Sequence, residues 1–275
     1  NELIMKHRQL STVIFLIYVA GCFARECGKA YTEKVIGGSP APKYLFPWMV
    51  HIEMAFQFYS SRCGATIISK HWVLTAAHCV DDEPLHVTIH AGSYNMSVVE
   101  EGEVKRVVPG DKITVHEDYN PIKIVNDIAL LYVEEPFEWA PHISPACLLP
   151  DIEDFDITNK TVELYGWGLI DDMWYTDIPY YGEMEAYDRT LCGEMWGDVL
   201  DERYMCTMGD AKQCSGDSGS GLMYKGENDE YNVVGVISYS KKNSNGMCFL
   251  GHPGVQTYVP TFRNWIETNT KETFP

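Results

Sequence analysis

Three short segments hold side chains suited to act together on a carbonyl group. They are Leu74-Thr75-Ala76-Ala77-His78-Cys79, Asn126-Asp127-Ile128-Ala129-Leu130-Leu131 and Gly216-Asp217-Ser218-Gly219-Ser220-Gly221. A serine hydroxyl is a poor nucleophile at neutral pH and needs a base within hydrogen-bond reach to take its proton. Histidine titrates in the range that lets it accept that proton and pass it to a leaving amine. A carboxylate on the far ring nitrogen fixes the tautomer and stabilises the imidazolium. Each segment alone also has an ordinary reading: a packed core histidine, a turn leading into a strand, and the common G-x-S-x-G pattern. In hydrolases that use the G-x-S-x-G elbow, serine precedes the acid and the histidine. Here the order is His78, Asp127, Ser218, and the serine sits in a Gly-rich loop rather than a strand-to-helix turn.

The elements that must bring these segments together read mainly as short strands. Residues 48–56, 65–77, 86–94, 104–108, 128–134, 161–168 and 231–240 are rich in β-branched and aromatic side chains. Gly, Pro, Asn and Asp clusters bound them, which predicts a sandwich or barrel. Two stretches read as helix, Ala186–Met195 and the C-terminal Val259–Asn269, where Phe262, Trp265 and Ile266 form an apolar face. The Pro-rich stretch Pro136–Pro150 reads as an extended connector.

Composition narrows the classes. At about 100–200 residues per domain, 275 residues make one large domain or two small ones with a true core. The net charge of −18 argues against binding nucleic-acid phosphates or anionic membranes. Basic Lys6-His7-Arg8, an apolar run over 10–24 and small residues at its end read as a secretory signal over 1–24, cut after Ala24. That run is too short for a comfortable membrane span, and no other run approaches the roughly 18 residues needed. Cys22 leaves with the signal, so nine cysteines become eight, an even number that suggests four disulfides in an oxidising compartment. Sequence alone leaves about a hundred pairings of eight cysteines open.

Together with Val35-Ile36-Gly37-Gly38, the three segments closely resemble the chymotrypsin/trypsin-like serine protease family, over roughly Cys27 to the C-terminus. The resemblance implies an all-β fold of two packed six-stranded antiparallel β-barrels with a C-terminal helix. Barrel 1 would span about 35–140, barrel 2 about 155–258 and the helix about 259–269. His78, Asp127 and Ser218 would be the catalytic groups of a serine endopeptidase that works through an acyl-enzyme. The N–H groups of Gly216 and Ser218 would form the oxyanion hole. Ser238 would sit beside Asp127 and pair with substrate backbone. Protein or peptide substrates and protein protease inhibitors are the partners so implied, with the enzyme a monomer. The rival from another class is a catalytically silent homologue that binds or regulates; a lipase or esterase is disfavoured by the chain order.

The resemblance also implies activation by proteolysis. A cut after Lys34 removes a propeptide, residues 25–34, and frees an α-amino group on Val35 to pair with Asp217 and order the oxyanion loop. The implied disulfides are Cys27–Cys147, Cys63–Cys79, Cys192–Cys206 and Cys214–Cys248, the first holding the propeptide to the enzyme. Many relatives carry another bridge where this chain has Val162 and Tyr224, so apolar packing is expected there. Ser220-Gly221 departs from the usual Gly-Pro, which brings the local loop geometry into question.

Substrate selection departs further. The family's primary pocket is built from the segment before Cys214, the strand at Ser238–Ser240 and the return at Pro253–Val255. Basic-specific relatives have aspartate two residues before that cysteine; this chain has Lys212. A lysine at the floor favours an acidic or small polar residue before the cut bond, with Ser240 and Gly254 keeping the walls small. Activation after Lys34 then needs a different, basic-specific protease. A register slip that brings in Asp210, or a lysine turned to solvent, leaves apolar and basic preferences open. The loop from Ala91 to Glu103 resembles a calcium loop, with Glu100 and Glu103 as candidate ligands and Ser93 where another carboxylate is usual. Otherwise no cofactor or metal is called for. Asn95-Met96-Ser97 and Asn159-Lys160-Thr161 are N-glycosylation sequons.

Overall fold

The computed structural model describes residues 27–30, 39–149, 155–169, 176–211, 213–244, 248–249 and 251–275. The signal expected over 1–24, Lys34, Val35 and Lys212 lie outside the described residues.

Fifteen strands and two α-helices are described. They run β1 (Ser39–Pro40), β2 (Met49–Ala55), β3 (Ser60–Ile67), β4 (Trp72–Thr75), β5 (His86–Ala91), β6 (Val104–Pro109), β7 (Ile113–Val115) and β8 (Ala129–Tyr132). After the connector come β9 (Cys147–Leu148), β10 (Thr161–Gly166), β11 (Tyr180–Tyr187), α1 (Arg189–Trp196), β12 (Tyr204–Met208), β13 (Gly221–Lys225), β14 (Tyr231–Tyr239), β15 (Gly254–Tyr258) and α2 (Arg263–Thr270).

The strands form two antiparallel barrels. In the first, the order is β6-β5-β2-β3-β4-β8-β7. β6 and β7 are one strand broken by a 3-10 turn at Gly110–Lys112, so its first half pairs with β5 and its second with β8. That single strand closes a six-stranded barrel and removes free edges. In the second, β10-β11-β12-β15-β14-β13 closes through the β10–β13 pairing at Glu163 and Met223. The short β1 and β9 add to its outside, on β11 and β14.

Side-chain alternation explains which faces are wet. Val162 and Leu164 of β10, Met184 and Ala186 of β11, Met205 of β12 and Leu222 of β13 fill the second barrel. β14 reads as a continuous apolar run because both of its faces are covered. Val234 and Ile237 point into that barrel, whereas Tyr231, Val233 and Val236 join the large cluster centred on the first barrel. The seam between the barrels is therefore dry on the β14 side. Val162 is fully buried and Tyr224 packs on the same cluster, with its ring 5.5 Å from Phe155.

Two element boundaries differ from the sequence reading. Ala186 and Tyr187, expected to open a helix, instead continue β11 opposite Thr207 and Cys206. The helix starts only after Asp188, whose carboxylate accepts from Leu191 N at 2.9 Å, and it stops at Gly197 in the left-handed region. At the C-terminus, Val259–Phe262 forms a 3-10 turn, with Pro260 at its start, that leads into α2. Asp188→Ala should cost about 1 kcal/mol by exposing an unpaired N–H in the first turn of α1. A urea midpoint that does not move would remove Asp188 from the list of stabilising caps.

Candidate active site

His78 sits in a one-turn 3-10 segment, Ala77–Cys79, between two buried neighbours. The Cys63–Cys79 disulfide ties that turn to β3. Asp127 is the second residue before β8, directly after Asn126, which adopts a positive φ of 56°. Asn126 is held there by two bonds, its amide donating to Asp118 O at 2.9 Å and its oxygen accepting from Arg203 Nη1 at 3.2 Å. The Asp127 carboxylate is 1% exposed and meets His78 twice. Oδ1 accepts from the His78 backbone N–H at 2.9 Å, and Oδ2 lies 2.8 Å from ring Nδ1. Ser238 Oγ, from β14, donates to the same Oδ2.

This environment moves both titrations in the useful direction. Burial opposes charge on His78, but the hydrogen bond and charge of Asp127 outweigh it and raise the imidazole above its usual range. Burial likewise opposes the Asp127 carboxylate, yet His78 and Ser238 hold it below the usual carboxylate range. With Nδ1 committed to the acid, Nε2 is the nitrogen left to act as base. His78 and Cys63–Cys79 also cluster closely enough for a metal, but both sulfurs are in the disulfide and offer no thiolate.

Ser218 lies half-buried in the loop between Cys214 and Gly221. Its carbonyl accepts from Gly64 N of β3 at 2.7 Å, which docks the loop of the second barrel on the first. Gly219 has φ +79°, and a Cβ there would stand 2.5 Å from Gly64 O and 2.3 Å from Thr75 Oγ1. The glycine is thus demanded by the approach of the two barrels. Ser218 Oγ makes no hydrogen bond within the described residues, and neither Gly216 N nor Ser218 N has an acceptor there. Those two N–H groups remain available to an incoming oxygen. Ser220 takes up the notch left by Gly64: its side chain is buried, with Oγ unpartnered among the described residues, 1.8 Å from where a Gly64 Cβ would stand.

Asp217 is buried behind that loop. Its carboxylate accepts from Gly168 N at 2.8 Å and Cys214 N at 2.9 Å, and no cation lies against it among the described residues. Burial, only partly relieved by these two N–H groups, pushes it up to about 6. Gly166 and Gly168 make room for it, since a Cβ on either would stand 2.1–2.3 Å from a carboxylate oxygen.

The structure joins Cys27 to Cys147, Cys63 to Cys79, Cys192 to Cys206 and Cys214 to Cys248. Four bridges are what an oxidising compartment permits. Ser240 and Gly254 both line a small cavity beside Cys214–Cys248, together with Gln213. Gly254, read from the sequence as keeping a pocket wall small, has the Gln213 amide in the space beside its Cα. Thr257 was also missed: its Oγ1 donates to Asp127 O at 2.8 Å, a second grip of the second barrel on the Asp127 segment. Asn159 is exposed in the turn before β10, and Asn95 is half-buried with its side-chain oxygen accepting from Ser97 N at 2.8 Å.

Two closed barrels with a histidine, a buried aspartate and a serine loop at their junction define the architecture of a serine hydrolase of the double-barrel kind. The Trypsin family profile matches residues 35–266. The chain is 30% identical over 262 residues to Chymotrypsin-C of Bos taurus, covering 92% of this chain and 94% of that protein. It is 28% identical to Melanization protease 1 of Drosophila melanogaster, over 90% of this chain and 68% of the relative. It is 30% identical to Transmembrane protease serine 9 of Rattus norvegicus, over 85% of this chain but 22% of the relative. The chain belongs to the trypsin family and is a trypsin/chymotrypsin-like serine endopeptidase.

The loop from Ala91 to Glu103, which resembles the calcium loop of some relatives, has carboxylates that are already engaged. Glu100 Oε2 pairs with Lys43 Nζ at 2.6 Å and accepts from Tyr44 OH at 3.1 Å, while Oε1 takes Asn95 N at 3.2 Å. Glu103 is engaged by His90 Nδ1 at 3.0 Å and Glu100 N at 3.2 Å. Calcium asks for 6–8 oxygens, and here an ammonium lies against the first of the two candidate carboxylates while Ser93 replaces a third. The residues do not fit the ion. The unfolding midpoint should therefore be the same in millimolar calcium and in EDTA, whereas Lys43→Met should lower it. A calcium-dependent rise in the wild-type chain would contradict this.

Proposed function

We propose that the chain is a secreted zymogen that hydrolyses peptide bonds through His78, Asp127 and Ser218 once it is cut after Lys34. The observation that carries this reading is the Asp127 carboxylate, which grips His78 at both backbone N and Nδ1 and directs Nε2 to act as base. Ser218 Oγ gives its proton to His78 Nε2 and adds to the scissile carbonyl carbon. The oxygen, now negative, is held by the N–H groups of Gly216 and Ser218. The same imidazolium then protonates the leaving amine, and water repeats the sequence on the acyl-enzyme. Ser238 donates to the same Asp127 Oδ2 that meets the imidazole and offers backbone contact to substrate. A basic-specific protease is the activator, and the enzyme works as a monomer on protein substrates, subject to protein inhibitors. Lys212 and Ser240 favour an acidic or small polar residue before the cut bond. Asn95 and Asn159 carry glycans, and no calcium is required.

A fluorophosphonate probe should label Ser218 after cleavage at Lys34, with Ser218→Ala unlabelled. Absence of label on the cleaved chain would favour the silent homologue. Asp127→Asn should lower kcat by about 10⁴, the loss characteristic of this family's triad, by presenting the wrong tautomer.

The activation switch has a pH signature. Asp217 is raised from 3.8 to about 6 in the folded chain, so the fold binds a proton that the unfolded chain has lost between those values. Its contribution is favourable below about pH 4 and is lost as pH rises through 6, a change of about 3 kcal/mol. In the uncleaved chain, Asp217→Asn should gain stability relative to wild type across this window. After cleavage the order should reverse, because asparagine cannot neutralise the Val35 ammonium. Denaturant titrations of both forms at pH 4 and pH 7 check this; equal pH dependence in the two uncleaved chains would dismiss it.

A further inference from the structure

The cavity beside Cys214–Cys248 has a volume of about 20 Å³, room for about one water molecule. Gln213 is what limits it. The residue is 3% exposed, and its side chain is fixed at both ends. Nε2 donates to Tyr239 O at 2.9 Å and to Val255 O at 3.4 Å, while Oε1 accepts from Gln256 Nε2. Gln256 is itself fully buried and held by Thr207 Oγ1 at 2.8 Å. The amide lies flat against Gly254: a Cβ there would be 2.7 Å from Gln213 Cδ and 2.9 Å from Nε2. A polar crossbar thus runs from the strand that carries Ser238 to the strand that faces it, across the space between Ser240 and Gly254.

We propose that Gln213 is the residue that sets the depth of the substrate pocket, and that the enzyme cuts after short side chains such as alanine and serine. This rests on the protease reading above, keeps the small part of its acidic-or-small preference and sets the acidic part aside on grounds of size. A longer side chain must displace an amide whose hydrogen-bonding groups are all engaged in the interior, removing the Gln213 donor from Tyr239 O and the Gln213 acceptor from Gln256 Nε2. Gly254 is required because only a residue without Cβ lets the crossbar pass.

The test uses the chain cleaved after Lys34 and titrated with a fluorophosphonate, against peptide anilides that differ only in Ala, Ser, Leu or Phe before the cut bond. Wild type should favour Ala and Ser over Phe by about 100-fold in kcat/KM, the discrimination expected where several methylenes have no room. Gln213→Ser should shift the Phe-to-Ala ratio toward Phe by about 10-fold or more, mainly through KM. Wild-type hydrolysis of Phe or Leu substrates as fast as Ala overturns the inference without use of any variant, as does a Gln213→Ser enzyme with an unchanged ratio. If Ser218 takes no label, the protease reading falls and this inference falls with it. If it labels and bulky residues are cut freely, only the pocket inference falls.

Discussion

The architecture depends on one buried carboxylate. Asp127 comes from the first barrel, but two of the groups that hold it come from the second: Ser238 donates to its side chain and Thr257 to its carbonyl. His78 supplies the other two bonds from within the first barrel. Removing one partner from a buried ionic contact typically costs about 3–5 kcal/mol, since the remaining charge is left without water or counter-charge. The two barrels therefore cannot separate or slide without breaking the Ser238 and Thr257 bonds to the Asp127 segment. His78 stays with Asp127 in either case, since both belong to the first barrel. The seam is thus where neutral donors from the other half are brought against the acid and its own peptide carbonyl.

Asp217 presents the contrasting case. It is as deeply buried as Asp127, yet it has two backbone N–H groups and no cation among the described residues. The glycines on either side of Trp167 give up their side chains to admit it, so the cavity is made to the measure of a carboxylate. A group so costly to ionise responds to a neighbouring cation, because an ammonium that reaches it stabilises the carboxylate where water cannot, less the cost of its own desolvation. The adjacent residues, Gly216 and Ser218, have backbone N–H groups with no acceptor among the described residues. In the function proposed above these are the oxyanion donors, so the charge state of Asp217 would reach them through three consecutive residues rather than through a long path.

Much of this was legible in the sequence because the features are local. The chain order His78, Asp127, Ser218 distinguished the site from a strand-to-helix elbow, and β-branched runs marked β2, β5, β8, β10 and β14. Strands β11, β12, β13 and β15 were not recognised: Tyr180–Tyr187 mixes glycine, glutamate and methionine, Tyr204–Met208 carries two methionines, and their β character comes from pairing partners elsewhere in the chain. The helix boundary at Asp188 was misplaced for the same reason: Ala186 is a good helix former in isolation, but its ladder to Thr207 prevails. Thr257 was invisible because its only functional act is a hydrogen bond to a carbonyl 130 residues away.

The substrate pocket and the calcium loop were the hardest to read, and both for the same physical reason. Sequence comparison assigns a position by its own side chain, whereas the character of a site is set by whatever fills the space beside it. Gly254 read as keeping a pocket wall small, and the space beside it holds the amide of Gln213. Glu100 read as a ligand for a missing ion, but the positive charge arrives from Lys43, 57 positions earlier in the chain, and Tyr44 completes its hydrogen bonds. In each case a vacancy in one segment is answered by a side chain from another. A chain that sets an amide against Gly254 and an ammonium against Glu100 keeps the fold of its family while giving these positions new partners.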